Sequence, residues 1–123
     1  MNDVLDDLNR SVGIKGSMVV TPDGVVAAAR FGHGLDDDRV AAIASILIPT
    51  VRRSLQRAGL RPFSKCILTA SEGRLVIVDT GRVFLVVATD AGIRLDVTLL
   101  DIDAAARRID GRSRLEVPGA VRA

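Results

Sequence analysis

Neither tryptophan nor tyrosine occurs in these 123 residues, and three phenylalanines make up the whole aromatic content. That leaves little platform for stacking bases and argues against single-stranded nucleic-acid binding. A formal net charge of +2 is too mild to reverse that conclusion. Cysteine occurs once, at Cys66, which excludes an internal disulfide framework and fits a reducing compartment. Histidine also occurs once, at His33 between Gly32 and Gly34. A general base needs an orienting partner and a nucleophile within reach, and a solitary loop histidine brings neither. No Cys/His cluster has metal-ligand spacing. Gly32 and Gly34 are not followed by the Lys-Ser/Thr of a phosphate loop. No apolar run approaches the roughly 18 residues of a membrane span, and residues 1–10 lack the basic and apolar regions of a signal peptide. The expectation is a cytoplasmic protein with no catalytic residue, cofactor, metal, nucleic-acid partner or stable membrane insertion.

What the chain does have is apolar surface. Hydrophobic residues make up 48% and mean hydropathy is +0.30, in a length that suits one domain. The excess must go into a core or an interface. Val4, Leu5, Leu8 and Val12 form a helical stripe, with Asn2 or Asp3 as its cap and Gly13 at its end. A hairpin follows, Gly16–Val20 and Val25–Arg30, joined by Thr21-Pro22-Asp23-Gly24. Pro fixes φ at the second turn position and Asp-Gly tolerates the positive φ after it. The second strand is rich in alanine, which suits close packing or an edge. A long helix spans residues 37–58, capped by one of Asp36, Asp37 and Asp38 and stopped by Gly59 and Pro62. The acidic triplet reads as a cap with extra charge, a cation site being the weaker alternative. Pro49 inside this helix should kink it or remove a hydrogen bond.

Three strands come next, about Lys65–Ser71, Arg74–Thr80 and Val83–Thr89. Their short links make them antiparallel neighbours. The last two are apolar on both parities, so both sheet faces are covered. The closing helix runs from about Ile93 to Ile109, with Leu95, Leu99, Ile102, Ala106 and Ile109 at three- and four-residue steps and Gly111 as its stop. The arginines 107, 108, 112, 114 and 122 suit a solvated helix end. Residues 1–111 form the domain and residues 112–123 a flexible, Arg-rich tail. The fold class is α/β of the α+β kind, in the order α-β-β-α-β-β-β-α. A five-stranded antiparallel sheet lies between the long helix on one face and the N- and C-terminal helices on the other.

The long helix has two sides that need cover. Counted at about 100° per residue, Val40, Ala44, Leu47, Val51 and Ala58 share one direction, with Ile48 and Leu55 beside them. The opposite side holds Ala42, Ser45, Ile46, Pro49, Arg52, Arg53 and Gln56, and carries no charge between Val40 and Val51. A helix with no charged outer face is buried on more than one side. The loops are too short to cover it, which points to a second protein chain.

The order and spacing of these elements resemble the Roadblock (dynein light chain Roadblock) superfamily, closest to its bacterial MglB-like branch. Gly16–Gly24, the Ala-rich helix Val40–Ser45 ending at Gly59-Leu60, the strand Gly73–Val78 and the segment Ala91–Leu95 carry the likeness, over roughly residues 3–110. The resemblance implies a dimer with a sheet continuous across the pair and the long helices side by side. The strand Lys65–Ser71 would then be the pairing edge, through Ile67 and Thr69, in a run Ile67-Leu68-Thr69 that no proline caps. It also implies a small Ras-like GTPase as partner, docked around the paired helices on Ala42, Ser45, Ile46, Pro49, Arg52, Arg53 and Gln56. It implies no catalytic residue supplied to that partner. The leading expectation is a non-catalytic homodimeric regulator or scaffold for such a GTPase. The alternative is a structural subunit of a motor or sensor-kinase assembly, without effect on nucleotide turnover.

Overall fold

The computed structural model describes residues 1–32 and 34–116. Its order is α1 (Asn2–Asn9), β1 (Ile14–Val20), β2 (Val26–Phe31), α2 (Asp37–Arg57), β3 (Lys65–Ala70), β4 (Gly73–Asp79), β5 (Phe84–Asp90) and α3 (Leu95–Glu116). The five strands form one antiparallel sheet in the order β2-β1-β5-β4-β3. The expected fold class is therefore the one observed.

The middle strand decides the layering. Phe84 to Thr89 in β5 are all buried, on both parities. Phe84 and Val86 face α2 together with Met18, Val20 and Ile77, against Val40, Ala44 and Ile48 of the helix. Leu85 and Val87 face the other way with Val19, Val76 and Val78. There they meet Val4, Leu5 and Leu8 of α1 and Ile102, Ala105, Ala106 and Ile109 of α3. One helix thus covers one face of the sheet and two helices cover the other.

The turns and caps follow local chemistry. Gly24 takes a φ of +92° at the end of the β1–β2 turn. Asp36 caps α2, its side chain accepting from the Asp38 amide at 2.9 Å. The helix passes through Pro49 without interruption.

Several local expectations need correction. No side chain caps α1; Asn2 is already helical and the Val4 amide donates to the Met1 carbonyl at 3.1 Å. Val12 lies outside the helix and is 91% exposed. The helix stops at Asn9, whose side chain is used elsewhere: its amide donates to the Arg30 carbonyl at 2.9 Å and its oxygen accepts from buried Ser17 at 2.8 Å. Gly13, at φ +87°, then turns the chain into β1. A methyl group there would sit 1.8 Å from Cγ2 of Ile93. In α2 the buried side is centred on Val40, Ala44 and Ile48, whereas Leu47, Val51 and Leu55 are half-buried and Ala58 is exposed.

The closing helix does not stop at Gly111. It continues to Glu116, so residues 112–116 belong to α3 and not to a tail. A glycine costs about 1 kcal/mol inside a helix, and tertiary ties offset it. Arg108 pairs with Asp7 at 3.1 Å, and the Arg112 guanidinium forks onto both oxygens of Asp3. Residues 117–123 of the expected tail, and His33, lie outside the described residues.

Leu85 has no exposed surface at the centre of the α1/α3 side. Leu85→Ala should cost about 2 to 5 kcal/mol in urea unfolding, as a buried cavity of that size does. The Arg112 guanidinium, hydrogen-bonded to Asp3, holds that carboxyl far below the usual carboxylate range, aided by the charges of Arg112 and the amino terminus. A carboxyl depressed in the folded state adds stability above its unfolded pKa of about 3.9, and that stability is lost as pH falls through the folded value. Asp3→Asn should therefore lower the thermal midpoint at pH 7, and its gap from the parent should close in strong acid.

Candidate interaction surface

The outward side of α2 is largely bare. Ile46 is 69% exposed and Ile43 45%. Ala42, Arg52, Arg53 and Gln56 are exposed, while Ser45 and Pro49 are half-buried. Ser45 sits against the β1–β2 turn: a Cβ at Gly24 would lie 3.1 Å from that of Ser45.

The polar groups on this helix are turned inward on their own backbone. Ser45 donates to the Ala42 carbonyl at 2.8 Å, Thr50 to Ile46 at 2.6 Å and Ser54 to Thr50 at 2.8 Å. Pro49 has no N–H to offer. Hydroxyls satisfied in this way make little demand on a partner, so the face behaves as more apolar than its composition suggests. Arg52 is partly committed to its own chain, its guanidinium lying 5.6 Å from the centroid of the Phe84 ring. Phe84 in turn meets Phe63 at 6.0 Å.

The two edges of the sheet differ. Along β2 the register shifts opposite Val19/Val20, Arg30 pairs with Asp6 of α1 at 3.2 Å, and Asn9 of α1 holds the Arg30 carbonyl. Bulges, charges and a covering helix are the usual means of closing an edge. By contrast, β3 is regular through all six residues from Lys65↔Val78 to Ala70↔Gly73, with β4 as its one neighbour. It has no proline, and its single charge, Lys65, is drawn to Asp103 of α3 at 2.9 Å. Ile67 to Ala70 are all exposed.

The expected residues thus fall into two groups. The α2 set forms one surface. Ile67 and Thr69 lie on the open edge, but their partners Val76 and Arg74 put them on the α3 side of the sheet. The edge residue that shares the α2 side is Leu68, opposite Leu75 and 43% exposed. Leu68, Ile43, Val40 and Leu75 line a groove of about 350 Å³ that joins helix and edge. Sequence reasoning missed Ile43, and it placed Leu68 in the edge run Ile67–Thr69 without assigning it to the α2 side. The signals were present: an isoleucine beside the buried stripe, and a leucine two positions from Cys66 on the same strand parity.

The other chemical candidates have local partners. The oxygens of Asp36, Asp37 and Asp38 lie within 4.8 Å of one another, exposed, at the cap already described. Cys66 is half-buried against the α2-side core. Among the described residues no helix is long and apolar enough to cross a membrane.

The described residues thus form a three-layer α+β domain with an exposed apolar side on α2 and an open edge at β3. The chain belongs to the Roadblock/LC7 domain family, whose model matches residues 1–89. It is 36% identical over 106 residues to protein MJ0714 of Methanocaldococcus jannaschii, covering 86% of this chain and 90% of that one. Among solved structures, Myxococcus xanthus MglB superposes with a TM-score of 0.85 at 20% identity, covering 94% of this chain and 89% of its own. An MglB in a tetrameric arrangement gives 0.77 at 18% identity, covering 89% and 84%.

Arg52→Ala should remove the cation–π contact with Phe84 and lower stability by about 0.5 to 1 kcal/mol in urea unfolding. A loss confined to partner binding, with unchanged stability, would show that the stacking contributes nothing to the fold.

Proposed function

We propose that this chain is a non-catalytic, cytoplasmic homodimer that binds a small Ras-like GTPase and modulates its activity or placement. The observation that carries the proposal is the joined surface of bare α2 and open β3. An apolar helix face continuous with an unguarded edge is what a second copy can cover by adding a strand and laying its own α2 alongside. Ile43, Ile46 and Leu68 supply the apolar centre, and Arg53 and Gln56 a polar rim. Membership of the Roadblock/LC7 family and the MglB-like fold support pairing of this kind. The GTPase partner comes from the family resemblance. The paired α2 helices, with Arg52 and Arg53 near their C-terminal ends, are the surface we assign to it.

Ile46→Glu places a charge at the centre of this surface while touching no core contact, since Ile46 is 69% exposed. The variant should keep its thermal midpoint and shift from two chains to one in light scattering. Mixed with Ras-like GTPases encoded beside its gene, the parent should change GTP hydrolysis or nucleotide release, and the variant should lose that effect. Binding with unchanged rates would favour the scaffold role. A dimer that survives Ile46→Glu would show that the contact lies elsewhere.

A further inference from the structure

The outer side of α3 repeats the pattern of α2 on the opposite face of the molecule. Counted at about 100° per residue, Val97, Leu100, Ala104 and Gly111 lie within about 40° of one direction, nearly opposite the buried Ile102, Ala105, Ala106 and Ile109. Leu100 is 69% exposed and Val97 52%. Near the start of the helix the stripe runs into a groove of about 690 Å³, where Val12 stands 91% exposed beside Ile93. Exposed leucine and valine at the pole of a helix, with small residues further along, make a surface that another helix can approach closely.

The charges on its two flanks say what that helix is. On one flank Asp101 precedes Arg108; on the other Asp103 precedes Arg107. The first pair is centred between residues 104 and 105 and the second on residue 105, within half a residue of each other. A second α3 running antiparallel about that point brings Asp101 opposite the other copy's Arg108, and Asp103 opposite its Arg107, on both flanks at once. Among the described residues of the single chain Asp101 accepts only from Ser11, at 2.9 Å, and meets no cation, and Arg107 forms no ion pair, whereas Asp103 is held by Lys65 and Arg108 by Asp7. A parallel helix, or one of uniform charge, would leave like charges facing each other.

We propose that α3 is a second self-association surface, on which a second copy of this chain packs antiparallel about Ala104. The contact is isologous and lies across the sheet from α2, so it links dimers formed through α2 and β3 into assemblies of more than two chains. It goes beyond the function proposed above and stands on different residues.

Two measurements test it. In sedimentation velocity up to hundreds of micromolar, the parent should exceed twice the 13.0 kDa of one chain. Leu100→Glu should weaken that larger species by at least about 100-fold and leave the two-chain species intact. In a Cys66→Ser background, Ala104→Cys should form an inter-chain disulfide with oxidised glutathione, whereas Ala27→Cys on β2 should not. If Leu100→Glu dissociates the two-chain species and Ile46→Glu does not, α3 carries the dimer: the surface is upheld and the α2/β3 assignment fails. A parent that never exceeds two chains and gives no Ala104→Cys cross-link overturns the proposal, as does a larger species indifferent to Leu100→Glu. Loss of GTPase binding in Leu100→Glu with every mass unchanged also overturns it and assigns the face to the GTPase.

Discussion

One helix cannot cover five strands. Strands about 4.8 Å apart put the outer two of five roughly 19 Å from each other, and a helix with its side chains is about 10 Å across. On one face of this sheet two helices divide the task, and β1, β5 and β4 are sealed beneath them. On the other face α2 works alone. It seals the middle of the sheet through Val40, Ala44 and Ile48, and leaves Leu68 of β3 at the margin in the open. The apolar groove beside Ile43 is the geometric remainder of that mismatch.

This constraint explains why an apolar chain of 123 residues can fold and still expose leucines and isoleucines. The core is complete where the layers overlap. Beyond that overlap the sequence has not replaced apolar residues with charged ones, as an exposed margin would favour. Ile43, Ile46 and Leu68 stay apolar, and the hydroxyls of Ser45, Thr50 and Ser54 are bonded back to their own helix. Arg52 links this surface to the interior, since it rests on Phe84, which is packed at the α2-side core. Substitutions at Arg52 therefore read out stability and binding together, whereas those at Ile46 separate the two.

Much of this was legible in the sequence wherever the signal was local. Pro22 through Gly24 announced the hairpin, Asp36 the cap of α2, and the runs Leu75–Val78 and Val83–Val87 a sheet covered on both sides. The uncharged arc from Ala42 to Pro49 marked the exposed helix face. What escaped depended on distance. Gly111 looks like a stop, and only Arg108 and Arg112 reaching back to Asp7 and Asp3, about a hundred residues earlier, show why the helix runs on. Ile43 and Leu68 belong to the surface because of the width of the sheet and the order of its strands. Neither is visible from a helical wheel or from strand alternation alone. Ile67 and Thr69 lie on an edge strand, and the strand order sets which layer each faces.

The unequal edges have a bearing on aggregation. A sheet open at both ends can recruit strands without limit, which is the geometry of a growing fibril. Here the bulge at Val19/Val20, the Arg30–Asp6 pair and the Asn9 amide blunt β2, and β3 is left as the free end. Two chains meeting at their free ends expose only blunted edges, so strand addition terminates after a single event. The side chains that α1 lends to β2 thus act as a stopper against runaway β-polymerisation, in a protein whose other edge is left open to pairing.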